Sequence, residues 1–137
     1  MRHERRTMTN RSPKLSGMVV KVEGRSYTLS YFDRPGLGPA ILYVHGLGCG
    51  KADFVEMTVI SALHPFRLIA ADNPGCGDSS YDEDHPLNID GVVEVIEKFV
   101  TQLGLNQFLL VGGSMGGLVA LLYAERNPDK IAASKCE

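Results

Sequence analysis

No stretch of this sequence is long and apolar enough to cross a bilayer as a helix, so a membrane-spanning protein is not the expectation. Cysteine is scarce. Cys49, Cys76 and Cys136 are odd in number and lack the paired spacing of metal ligands, which argues against a disulfide framework or a metal module and fits reduced thiols in a cytoplasmic protein. Cys49 and Cys76 both fall in glycine-rich loops after strand-like runs, which permits proximity without indicating a bridge. A strong charge of either sign is missing too, and a net charge of −2 gives no basis for nucleic acid or a membrane surface as a partner. Histidine is confined to His3, His45, His64 and His85. Repeats and low-complexity segments are absent.

What remains is ordinary globular material: 137 residues, 44% hydrophobic and 22% charged, enough for one domain and one core. Its charge is uneven. Residues 1–16 hold Arg2, Arg5, Arg6, Arg11 and Lys14 against Glu4 alone, and with no apolar run they read as a basic disordered tail, not a secretory signal. Residues 17–137 are expected to form the domain.

Met18–Glu23 and Tyr27–Phe32 are β-rich runs around Gly24-Arg25, the pattern of a hairpin. Ile41–Val44, Phe66–Ala71 and Phe108–Val111 are short, wholly apolar runs suited to strands buried on both faces. Between them, Ala52–Leu63 is expected to be helical. So is the segment from Ile89 to Leu103, whose apolar residues recur every three or four positions between Asn88 as N-cap and Gly104 as C-cap. Met115–Arg126 follows as a third helix, apolar nearly all round and therefore expected to be buried. This order predicts an α/β fold, a mostly parallel sheet with helices on both faces. Ile131-Ala132-Ala133 starts a further strand that is expected to stop in the polar residues after it, leaving Phe108–Val111 largely unpaired on one side.

The run Val111-Gly112-Gly113-Ser114-Met115-Gly116-Gly117 places a serine between glycines where an apolar strand turns into a helix. A serine in so tight a turn needs small neighbours and projects its hydroxyl from the sheet toward a substrate, so Ser114 is the candidate nucleophile. His45-Gly46-Leu47-Gly48 comes directly after the third strand, and loops at the carboxyl ends of parallel strands share one crevice. Backbone N–H groups of Leu47, with Gly48 as alternate, and of Met115 are the candidate oxyanion donors; His45, Gly46, Gly113 and Gly116 support them. The loop fails as a phosphate-binding P-loop, because Ala52 follows Gly50-Lys51 where serine or threonine is required. His45 is expected to be structural, bonding nearby backbone. His64 precedes its strand and falls at the wrong edge, and His85 lies in a charged surface loop. Asp72 and Asp78, in a run of turn formers, are expected to bond local N–H groups. Nothing suggests a metal site.

The segments His45-Gly46-Leu47-Gly48, Asp72-Asn73-Pro74-Gly75-Cys76-Gly77-Asp78-Ser79 and Gly112-Gly113-Ser114-Met115-Gly116-Gly117, in this order and at these intervals, resemble the α/β-hydrolase superfamily, in the lineage of small esterases, meta-cleavage-product hydrolases and proline iminopeptidases. The resemblance covers roughly residues 18–131. It implies a serine hydrolase working through an acyl-enzyme on Ser114, a small-molecule substrate, most readily a carboxylic ester, and no cofactor. It also implies an acid and a histidine after the serine. No histidine follows Ser114, so the chain reads as the N-terminal part of such a domain, nearly inactive by itself, or as a binding or scaffold protein derived from the fold.

Overall fold

A computed structural model of the chain describes residues 13–46 and 48–136, with the side chains of 134–136 outside the description. Residues 1–12, most of the expected basic tail, lie outside the described residues. Strand β1 (Lys14–Val22) begins earlier than the sequence suggests and pairs antiparallel with β2 (Arg25–Arg34) through its whole length. The two-residue turn between them, Glu23 and Gly24, has positive φ at both positions, the geometry whose twist matches that of the flanking strands.

Strands β3 (Ala40–Val44), β4 (Arg67–Ala71), β5 (Phe108–Gly112) and β6 (Ile131–Cys136) run parallel, and the sheet order is β1-β2-β4-β3-β5-β6. The expected mostly parallel sheet is therefore present. Alternate residues feed the two sides: Leu42, Val44, Ile69, Ala71, Phe108 and Leu110 join one core, and Ile41, Tyr43, Leu68, Ala70, Leu109 and Val111 the other. Helices α2 (Ile89–Leu103) and α3 (Met115–Arg126) pack on the first side. The short α1 (Ala52–Val55) packs on the second, where Phe54 stacks on Tyr43 at 4.9 Å between ring centroids.

Three sequence expectations are corrected. The helix over 52–63 is a single α turn followed by two 3-10 turns, Glu56–Val59 and Ser61–Leu63. β-branched Val55, Thr58, Val59 and Ile60 are poor helix formers, and Ile60 is extended at φ −77° and ψ 116°. The irregular turns are held instead by buried Arg34, whose guanidinium donates to the carbonyls of Thr58, Leu63 and Phe66 at 2.9, 2.6 and 2.8 Å. Secondly, α3 is not buried all round: Val119, Ala120 and Tyr123 face the core, while Leu118 and Leu121 are 48% and 54% exposed. Thirdly, β6 is no stub. It continues through Cys136 and pairs along β5 from Phe108 to Gly112, so β5 is interior, between β3 and β6.

The helix α2 keeps its expected bounds. Asn88 Oδ1 accepts from the Gly91 N–H at 2.8 Å, and Gly104 closes the helix in the left-handed region at φ 69°.

Candidate active site

The carboxyl ends of β3, β4 and β5 bring the loops beginning at His45, Asp72 and Gly113 to one edge of the sheet. Ser114 sits between β5 and α3 at φ 55° and ψ −121°, a conformation that L-residues rarely adopt. Strain of this kind persists only where the surroundings over-determine it. Here the N–H of Gly113 donates to Val44 O at 3.0 Å, and the N–H groups of Gly116 and Gly117 donate to Gly113 O and Ser114 O, each at 2.9 Å. A Cβ on Gly116 would overlap the carbonyl of Val44, so only glycine lets α3 start this close to β3. Ser114 is exposed, and its hydroxyl neither caps α3 nor makes a side-chain hydrogen bond among the described residues.

The loop after β3 lies against this serine: a Cβ on Gly46 would stand 3.0 Å from Ser114 Cβ and 3.6 Å from its Oγ. Gly48 follows with φ 72°. Leu47, one of the candidate donors, lies outside the described residues. The other, Met115, is the first residue of α3 and is 40% exposed. The first N–H groups of a helix have no intrahelical acceptor. With Gly116 and Gly117 already bonded back into the turn, the N–H of Met115 is, among the described residues, the first-turn donor of α3 left beside Ser114.

His45 is buried, and both ring nitrogens are occupied. The Asn73 N–H donates to Nε2 at 2.8 Å, which makes Nε2 an acceptor and requires the proton on Nδ1, where it meets Gly46 O at 2.7 Å. The ring is thus a neutral brace between two loops, as the sequence suggests for a structural histidine. His85 is held on the surface between Arg25 and Asp82. His64 precedes β4, at the opposite edge of the sheet.

Sequence reasoning missed one part of the site. Lys51 is buried; its Nζ lies 2.5 Å from Asp72 Oδ2 and 3.2 Å from Asp78 Oδ2, and its N–H donates to Asp72 Oδ1 at 2.8 Å. Asp72 also accepts from the Asp78 N–H at 3.0 Å, the local bond expected of it. Burial alone would push the Asp72 carboxyl up, but the hydrogen bonds from Lys51 and from the Asp78 and Lys51 N–H groups outweigh it and hold the carboxyl below its ordinary range. For Lys51, burial works downward and the bonds to Asp72 and Asp78 outweigh it, so the ammonium is held above its ordinary value. The loop from His45 to Lys51 is therefore fastened at both ends to Asp72 and Asn73. Partners 21 residues apart in sequence leave no periodic signal, which is why only the Asp72 half was legible.

A family model described as the alpha/beta hydrolase fold matches residues 39–134. The chain belongs to the α/β-hydrolase family. It is 35% identical over 116 residues to monoacylglycerol lipase ABHD6 of Bos taurus, covering 83% of this chain and 34% of that protein. To putative esterase/lipase 2 of Mycoplasma genitalium it is 30% identical over 92 residues, covering 67% of this chain and 34% of that one. Among solved structures, a bacterial membrane phospholipase A superposes with a TM-score of 0.75 at 27% identity, over 98% of this chain and 42% of that one. A probable hydrolytic enzyme from Pseudomonas aeruginosa gives 0.80 at 21% identity, over 90% and 40%, a likeness of fold alone. This α/β-hydrolase chain spans about a third of the length of the curated relatives it matches. Among its described residues, no helix is long and apolar enough to cross a membrane, and no group of three or more metal-ligating side chains occurs.

Proposed function

We propose that this chain carries the nucleophile and oxyanion donors of a serine hydrolase that acts on small carboxylic esters. The observation that carries the proposal is Ser114: held at φ 55° between strand and helix, exposed, its hydroxyl not spent on capping the helix, and within a few ångströms of the Gly46 backbone. An ester carbonyl set on this serine would direct its oxygen toward the N–H of Met115 and of Leu47, or Gly48 in its place. Donors fixed in advance at the position of developing charge contribute about two to three orders of magnitude each. The Ser114 Oγ–carbon bond forms as the hydroxyl proton passes to a general base; the carbon–alkoxide bond then breaks and that proton leaves with the alcohol. Water reverses the sequence, releasing the acid and restoring the serine.

Among the described residues His45 is committed to Asn73 and Gly46, and His85 to Arg25 and Asp82, so this reading takes the base and its orienting acid from elsewhere in the protein, consistent with relatives about two to two and a half times as long as this chain. The relatives' names, monoacylglycerol lipase and esterase/lipase, favour an ester over an amide or carbon–carbon bond. The same missing base favours the second reading, a binding protein built on the fold. Turnover of nitrophenyl esters by the protein expressed from the whole coding region separates the two. The hydrolase reading requires Ser114→Ala to lower kcat by at least about 10⁴-fold; turnover unchanged by the substitution, or none at all, supports the binding protein.

A further inference from the structure

Cys49 and Cys76 stand in the loops after β3 and β4, each between two glycines, Gly48 and Gly50 for the first and Gly75 and Gly77 for the second. Both are free thiols. We propose that they form a redox-modification site: a reversible disulfide, made by exchange with a small disulfide of the glutathione type, that staples the two loops together. The bridge needs nothing from Ser114 and is independent of the hydrolase reading.

The two loops close on one carboxylate. A Cβ on Gly50 would stand 2.8 Å from Asp72 Oδ1 and one on Gly77 2.7 Å from the same oxygen, so the residues that follow the two cysteines meet at a single atom. The Lys51 and Asp78 N–H groups donate to this carboxylate at 2.8 and 3.0 Å, which holds the loops side by side. The sulfurs themselves are near enough that a charge on Cys76 is felt at Cys49. A disulfide needs Cα atoms within about 7 Å. Gly48, Gly75 and Gly77, all at positive φ, give the backbone beside each sulfur the freedom for that closing adjustment. Exposure divides the roles: Cys49 is open to solvent and meets the oxidant, and half-buried Cys76 resolves the intermediate.

The Cys49 thiolate attacks one sulfur of the small disulfide, whose S–S bond breaks, and one small thiolate leaves. The Cys76 thiolate then attacks the Cys49 sulfur; the mixed disulfide breaks and the second small thiolate leaves. Two protein thiols are oxidised and one small disulfide is reduced, and the two cysteine protons pass through solvent to the leaving thiolates. Both thiols start above their ordinary range. The Asp53 carboxylate bonded to Cys49 holds that thiol up, while burial, with the charge of Asp72, raises Cys76. Exchange is therefore slow at neutral pH and speeds as pH rises.

The test is incubation of the protein expressed from the whole coding region with glutathione disulfide, at about pH 7 and about pH 9, followed by alkylation and peptide mass spectrometry. A Cys49–Cys76 linked peptide is expected, formed at least about tenfold faster at the higher pH and removed by dithiothreitol. In Cys76→Ser the mixed disulfide on Cys49 should accumulate; in Cys49→Ser the half-buried Cys76 should react at least about tenfold more slowly than Cys49 does. Asp53→Asn, which takes the charge from beside Cys49, should speed linking at neutral pH by at least about threefold. Amide hydrogen exchange across residues 46–50 should slow at least about tenfold once the bridge is made. A mixed disulfide that persists on Cys49 in the wild type, a bond from Cys49 to another copy or to Cys136, or exchange across 46–50 unchanged by oxidation would overturn the assignment.

Discussion

Ser114 is held at a backbone conformation that costs stability, and that cost has a measurable consequence. Glycine occupies positive φ with little penalty, so Ser114→Gly is expected to raise the unfolding free energy by about 1 kcal/mol while removing the nucleophile. Chemical denaturation checks this; a loss of stability would mean that the serine is not strained. Arg34 makes the opposite case. Its three bonds to Thr58, Leu63 and Phe66 satisfy carbonyls that no helix serves, so Arg34→Ala should cost at least about 3 kcal/mol. Lysine, a single point donor, should not restore it. The Lys51–Asp72 pair adds a pH signature. Because the Asp72 carboxyl is depressed, its contribution is complete above the unfolded carboxylate value, near 4, and is lost as pH falls through the lower folded value. Lys51 is raised, so its contribution is complete below about 10 and fades as pH rises through a folded value above that. Asp72→Asn should therefore cost about 3 kcal/mol at neutral pH, for a buried lysine left with Asp78 alone to pair it, and progressively less in acid. A cost independent of pH would rule the pair out as the cause.

Among the elements, those whose ends carry chemical signals were legible in the sequence. Asn88 and Gly104 marked both ends of α2, and Asn88→Ala should lower stability by about 1 kcal/mol, read from the thermal midpoint. The apolar runs of β3, β4 and β5 and the glycines around Ser114 were equally clear, because a buried strand and a tight turn each restrict which residues fit. The failures have physical causes. The 52–63 segment has helix-like spacing, but its β-branched residues and the buried Arg34 favour short 3-10 turns. The α3 sequence is apolar on every side, so periodicity could not tell the face against the sheet from the exposed face of Leu118 and Leu121. At the site, Ser114, His45 and Gly46 were found because their loops follow strand ends. Lys51 and Arg34 were missed because their partners are distant in sequence.

At the scale of the whole molecule, the exposed leucines of α3 and the strand β6 at the end of the sheet are surfaces that favour association. The 137-residue protein is expected to self-associate with rising concentration and to bind hydrophobic dyes. Replacing Leu118 and Leu121 by lysine and glutamate should return it toward a monomer in sedimentation velocity; a monodisperse, dye-silent wild type would show these surfaces to be inert. The central claim, however, concerns one atom. Treating the protein expressed from the coding region that contains these residues with a fluorophosphonate, and mapping the adduct by peptide mass spectrometry, addresses it directly. The account predicts a single adduct on Ser114, lost in Ser114→Ala. An adduct on another residue with Ser114 unmodified, or no adduct at all, would contradict it.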